Sequence, residues 1–237
     1  MTALLGIDCA TQPKKVGLAL GELRKGRVCI LECCIGSATA SPVDIAADWL
    51  ANVESALIAL DAPLGWPISL ATALADHRAG SGMRAPADDL FRRLTDIEIR
   101  RRLGKKPLEV GANLISRTTV AALELLEGIR AKTGLPVSLA WAPDEPEPIR
   151  TIEVYPAATR LAHSAQSGGG SVEGLMRVLD RSGFTLEGVG PDAMDAAVCA
   201  LGAADFLGGR AVGPESSDMQ RVLVEGWIWS ADRPSVN

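Results

Sequence analysis

Five carboxylates stand at positions where they could do chemistry together. Asp8 closes the short apolar run Ala3-Leu4-Leu5-Gly6-Ile7, and Asp61 closes a second, Ala56-Leu57-Ile58-Ala59-Leu60. Glu153 lies inside a third, Arg150-Thr151-Ile152-Glu153-Val154-Tyr155. Asp192 and Asp195 are three apart in Pro191-Asp192-Ala193-Met194-Asp195, so they share one face of a helix near its N-terminus, where the dipole favours negative charge. Helix capping would account for Asp192, but it leaves Asp195 without a structural reason. Carboxylates brought within a few ångströms strongly disfavour one another's ionisation, and a hard divalent cation such as Mg2+ or Mn2+ supplies the compensation. One such ion, or a pair about 4 Å apart, can activate water and stabilise the leaving oxygen in phosphodiester hydrolysis.

The elements that must position these acids follow from the hydrophobic pattern. The run ending at Asp8 reads as a buried strand, Val16 to Glu22 returns after a short turn as an antiparallel partner, and Val28 to Ile35 adds a third strand. Ser41 is the expected N-cap of a helix with Pro42 at its first position and Asp44 near its dipole, running to about Asn52. The unbroken apolar run to Asp61 then has the look of a strand buried on both faces, parallel to the first. From Ser69 to Leu139 the chain is expected to be mostly helical, an insertion at about 68–140 that is either a cap over the carboxylate end or a purely structural helical layer. Arg150 to Pro156 is the next strand, a helix is expected over roughly Ser171 to Ser182, and another carries Asp192 and Asp195. Arg221 to Trp229 reads as an amphipathic strand with Trp227 and Trp229 available to a core or an interface.

This order builds an α/β fold, a ribonuclease H-like mixed five-stranded sheet of three antiparallel strands and then parallel ones, flanked by helices within a single domain spanning 1–237. Such a sheet brings Asp8, Asp61 and Asp195 together as expected metal ligands. Asp192 and Glu153 stand beside them as second-tier ligands or a general base. The segment from Arg84 to Lys106 holds Arg92, Arg93, Arg100, Arg101, Arg102 and Lys105 among Asp88, Asp89, Asp96 and Glu98. Opposite charges at helical spacing describe a solvated face with local pairs. They equally describe a phosphate-binding lid, in which Arg93 and Arg100 project from one helix face and Thr95 and Asp96 orient a substrate or a bound water.

The motifs Gly6-Ile7-Asp8, Leu60-Asp61-Ala62-Pro63-Leu64-Gly65, Arg93-Leu94-Thr95-Asp96, Glu153-Val154-Tyr155-Pro156, Asp192-Ala193-Met194-Asp195-Ala196 and Glu225-Gly226-Trp227-Ile228 recur in order over nearly the whole chain. In this set the sequence resembles the widespread family of predicted ribonuclease H-like nucleases. The resemblance implies a metal-dependent hydrolase acting on nucleic acid or a small phosphodiester. Two positions depart from that family's pattern: Tyr155 stands where histidine is frequent, and Cys9-Ala10-Thr11 where a Gly-Cys-Arg type of sequence follows the first acid.

Composition narrows the alternatives. With 24 Lys and Arg against 29 Asp and Glu the net charge is −5, which disfavours coating long nucleic acid by bulk electrostatics and leaves a local basic track open. No apolar stretch reaches the roughly 18 residues of a membrane span, so a cytoplasmic protein is expected. Five cysteines and two histidines, His77 and His163, lack zinc spacing, and reduced buried thiols are expected. Gly168-Gly169-Gly170 lacks the Lys-Ser/Thr of a phosphate loop and reads as a surface loop. Two further functions fit the same sheet. One is a non-catalytic binding scaffold. The other is a phosphotransferase, because Asp8 to Thr11 followed by Val16-Gly17-Leu18 resembles the first phosphate loop of sugar kinases and actin-like ATPases, although those enzymes use two such domains.

Overall fold

A computed structural model describes residues 2–111, 113–164, 179–180 and 188–233. The apolar run before Asp8 forms strand β1 (Thr2–Asp8), and its alternation defines two layers. Leu4 faces one core while Ala3, Leu5 and Ile7 face the other, as the two-residue period of a strand requires. Strands β2 (Gly17–Arg24) and β3 (Arg27–Ile35) continue the sheet antiparallel. Helix α1 (Pro42–Leu50) starts as the sequence indicates, with the Asp44 amide donating to Ser41 Oγ at 3.1 Å and Pro42 in the first turn. Strand β4 (Ser55–Asp61) then pairs parallel with β1, and Asp8 lies directly opposite Asp61.

The stretch after β4 contains helices α2 (Ile68–Ala75), α3 (Ala87–Phe91), α4 (Leu94–Leu103) and α5 (Asn113–Thr133). Strand β5 (Ser138–Leu139) follows at one sheet edge, and β6 (Ile149–Glu153) runs parallel between it and β4. Helix α6 (Pro156–Ala162), strand β7 (Leu179–Asp180), and helices α7 (Pro191–Leu207) and α8 (Met219–Glu225) complete the described elements. The sheet order is β5-β6-β4-β1-β2-β3-β7. Its central five strands are the ribonuclease H-like arrangement, with β2 antiparallel to β1 and β4 and β6 parallel to it. No helix among the described residues is long and apolar enough to cross a membrane.

Three expectations need correction. Among the described residues the sheet has seven strands rather than five, because β5 and β7 are two-residue edge pairings too short to leave an alternation in the sequence. The helix expected over 171–182 falls mostly outside the described residues, and its described part is β7, paired with Val28 and Cys29. The expected strand from Arg221 is helix α8 followed by an extended tail; Val222 and Glu225, three apart, are its buried residues, which is a helical spacing. Gly226 then takes φ +81°, and Ile228 bridges to Glu153. Trp227 and Trp229 belong to the core, where Trp229 meets Phe206 edge-on at 4.6 Å between ring centres. The loop read at 168–170 and the C-terminal residues 234–237 lie outside the described residues.

Helix α7 covers one sheet face and α1 with α5 the other. The small residues Ala196, Ala197, Ala200, Gly202, Ala203 and Ala204 let α7 lie close to the strands. The approach is close enough that a Cβ on Gly6 would stand 1.9 Å from the Ala196 carbonyl oxygen, and one on Gly17 would stand 2.1 Å from that of Asp192. These contacts fix the first turn of α7 over the carboxyl end of β1. Gly6→Ala is therefore expected to cost about 1–3 kcal/mol or more, because the clash is with backbone that cannot rotate away. A urea titration that left the Gly6→Ala midpoint at the wild-type value would refute this placement of α7.

Candidate active site

Strand alternation decides which acids meet. On β1 the residues Leu4, Gly6 and Asp8 face α7, and on β4 Leu57, Ala59 and Asp61 do the same. The Asp8–Asp61 register then sets the two carboxylates side by side at the carboxyl end of the sheet. Helix α7 has Gly190 as N-cap and Pro191 at N1, so Asp192 is in the first turn rather than at the cap, which corrects the capping reading. Asp195 follows one turn on. Both are half-buried.

The electrostatics reflect this convergence. Burial, then the charges of Asp195 and Asp192, raise the Asp8 carboxyl from its ordinary 3.8 to about 7, with Arg160 pulling the other way. Asp61 is pushed well above the carboxylate range by burial, Asp8, Asp195 and Glu153, again opposed by Arg160. Arg160, on α6, donates from Nη2 to Asp195 Oδ1. It places a cation among the acids, and sequence reasoning missed it. The available signal was Pro156, which starts a helix immediately beyond β6 and so puts Arg160, four residues later, near the carboxyl edge.

Glu153 and Arg93 do something else. Glu153 has the strand parity of Ile149, which packs in the α1 and α5 core, and it pairs with Leu60 rather than Asp61. There it meets Arg93, which is 1% exposed. Arg93 Nη1 and Nη2 donate to the two Glu153 oxygens at 2.8 and 2.7 Å, and Nη2 also donates to Asp96 Oδ1 at 3.0 Å. The Leu64 amide donates to Glu153 Oε2 at 3.1 Å. Burial opposes the charge on Arg93, but Glu153 and Asp96 outweigh it and hold the guanidinium protonated beyond its usual range. Burial likewise pushes Glu153 up while the Arg93 charge and hydrogen bonds pull it down.

The same network fastens the α2 to α4 stretch to the sheet. Glu225, fully buried, accepts from the Ile68 amide at 3.0 Å and the Leu94 amide at 2.8 Å, and so caps α2 and α4 at once. Thr95 Oγ1 accepts from the Ile228 amide at 2.8 Å, and Asp96 accepts from the Arg93 amide at 2.9 Å. The lid expectation is thus corrected: Arg93 is the extended N-cap of α4, Arg100 is exposed on the helix, and Thr95 and Asp96 are buried in structural bonds. A charge run with Arg at helical spacing concealed one residue whose partners lie 60 and 132 positions away.

Beside Asp61 a pocket of about 220 Å3 opens between the sheet ends and the α4–α5 link, with Cys9, Pro63, Leu108, Ile115 and Tyr155 in its wall. Cys9 and Cys199 lie close to the acids, and burial followed by the Asp61 and Asp8 charges keeps both thiols protonated, which argues against a nucleophilic cysteine. The five cysteines form no disulfide.

Among the described residues no three His, Cys, Asp or Glu side chains are already arranged to hold a metal ion. The donor chemistry nevertheless fits a hard cation: Asp8, Asp61 and Asp195 offer only oxygen, and the raised titration of Asp8 and Asp61 reflects burial together with a concentration of negative charge in need of neutralising. Arg160 supplies part of that neutralisation at Asp195.

Residues 6–218 match a family model described as a protein of unknown function, DUF429. No curated protein matches the chain. Among solved structures the chain is similar to one described as T. thermophilus RuvC in complex with Holliday junction substrate. The sequence identity is 12%, the match covers 86% of this chain and 94% of that one, and the TM-score is 0.41.

Proposed function

The chain belongs to the DUF429 family, whose description assigns no activity, and from that premise we propose that it is a divalent-metal-dependent phosphodiesterase of the nuclease type. The observation that supports this most directly is the in-register pair Asp8 and Asp61 beside Asp195, with the ionisation of Asp8 and Asp61 suppressed by burial and by neighbouring acids, Asp195 among them. In this reading Asp8, Asp61 and Asp195 hold Mg2+ or Mn2+, and Asp192 stands behind them. The bound ion would supply an activated water and stabilise the leaving oxygen.

The protein's own groups have distinct tasks. Asp8 keeps a proton up to about pH 7 in the metal-free chain and gives it up when a cation arrives. Arg160 turns from Asp195 to a phosphate oxygen, since its guanidinium is partly exposed and can grip phosphate bidentately. Glu153 has no part in the proton transfer, because both of its oxygens are committed to Arg93 and Leu64.

Thermal unfolding with and without millimolar Mn2+ tests the assignment. At about 100 times its dissociation constant the ion should stabilise the wild type by roughly 2.7 kcal/mol, and Asp61→Asn and Asp195→Asn should lose that shift. If Mn2+ moves neither wild type nor variants, the acids are structural. The reading favoured then is a ribonuclease H-like binding scaffold in which Arg160 permanently neutralises Asp195.

A further inference from the structure

We propose that the pocket beside Asp61 is a subsite for a nucleobase, so that the substrate is a phosphodiester presenting an unpaired or extruded base. This rests on the phosphodiesterase reading and specifies its substrate class. The pocket adjoins the acidic centre through Asp61 itself, and at about 220 Å3 it is smaller than the roughly 300–1,000 Å3 of sites that enclose drug-sized ligands. One ring system fits. A whole nucleotide does not.

The charge in the wall selects what enters. Arg93 lines the pocket, but it is 1% exposed and its guanidinium is occupied by Glu153 and Asp96, so it offers no free cation to a phosphate. A phosphate entering here would meet Asp61 and Glu153. A neutral group meets Pro63, Val154, Leu108 and Ile115, and Leu108, 69% exposed, marks the mouth. The phosphate therefore stays outside at the aspartates while its neutral neighbour enters.

Two side chains favour a heterocycle over an aliphatic chain. Tyr155 is half-buried in the wall and presents a ring on which a base can stack. Its phenolic hydroxyl, protonated at neutral pH as in any tyrosine, is a donor to a base edge. Thr118 Oγ1 donates to the Leu114 carbonyl at 3.2 Å, which leaves its lone pairs to accept from a base edge. Extruded bases are read in this way, by stacking combined with a few hydrogen bonds in an apolar pocket.

The test uses the whole chain without divalent metal, so that its failure is separable from failure of the metal centre. Saturation-transfer NMR is run with adenosine, uridine and ribose 5-phosphate as probes, on wild type, Ile115→Trp, Tyr155→Ala and Tyr155→Phe. At least one nucleoside should receive saturation, strongest on its base protons, and ribose 5-phosphate should receive none. Ile115→Trp should abolish the signal by filling the pocket, Tyr155→Ala should weaken nucleoside binding about tenfold, and Tyr155→Phe should retain the stacking. A metal-free melting midpoint and far-UV circular dichroism spectrum of Ile115→Trp matching wild type show that the variant is folded. Absence of nucleoside binding, binding that survives Ile115→Trp, or equal binding of ribose 5-phosphate overturns the subsite and leaves the metal reading standing.

Discussion

An Arg93→Met protein is expected to lose about 3–5 kcal/mol of folding stability, the cost of leaving buried carboxylates without their cation. Glu153 would keep only the Leu64 amide, and Asp96 would lose both side-chain bonds from Arg93. The Glu225 carbonyl would also lose its bond from Arg93 Nη1, at the point where α8 turns into the C-terminal tail. The packing leaves no room for water to substitute freely, since a Cβ placed on Gly226 would already stand 3.0 Å from Glu153 Oε2 and 3.3 Å from Arg93 Nη1. Adding Glu153→Gln should recover part of the loss, because a neutral amide no longer needs the cation. Arg100→Met, at an exposed position of the same segment, should change stability by no more than about 0.5 kcal/mol. Guanidinium titrations of these proteins separate two roles: an Arg93→Met midpoint like that of wild type, with only KM raised, would restore Arg93 as a substrate contact.

That contrast between Arg93 and Arg100 shows where sequence reading succeeds and where it stops. The ends of β1 and β4 were legible because an apolar run buried on both faces stops abruptly at a single acid, and register then brought Asp8 opposite Asp61. The face on which Glu153 projects was not legible. A strand buried on both sides carries no polar alternation, and a one-residue difference in parity sends a side chain to the opposite layer. Glu153 pairs with Leu60, one position short of Asp61, and that single step separates the structural ion pair from the acidic centre.

Arg93 was concealed for a related reason. Its neighbours in sequence are solvated charges, so the local pattern resembled a surface helix, while its burial comes from closure against β6 and α8 far along the chain. Glu225 is similar: as one acid at the end of α8 it carries no signal, yet it satisfies the first amides of two helices. The motif Glu225-Gly226-Trp227-Ile228 is explained by these bonds without any contact with the aspartates. Motif residues of this chain therefore divide into two sets, one aimed at the acidic centre and one that locks the helical cap to the sheet.

Asp8→Asn should separate stability from activity. In the metal-free wild type Asp8 binds its proton more tightly folded than unfolded, titrating near 7 instead of near 3.8. Between about pH 4 and pH 7 the folded state thus holds a proton that the unfolded state has released, and stability falls as pH rises through that window. Asp61 acts in the same direction. Asparagine has no charge to suppress, so Asp8→Asn should match wild type near pH 4 and exceed it at pH 8. Because Asp8 is only half-buried, the full linkage value is reduced to an advantage on the order of 2–3 kcal/mol. Activity should move the opposite way: loss of one oxygen ligand removes several kcal/mol of transition-state stabilisation, on the order of a thousandfold in rate. Urea titrations at pH 4, 6 and 8, paired with cleavage of a phosphodiester in Mn2+, read both effects. A variant more stable at pH 8 and inactive marks Asp8 as a carboxylate retained for chemistry at a cost to the fold. A variant less stable at every pH, with wild-type stability level across the window, would make Asp8 a structural acceptor and move the scaffold reading to first place.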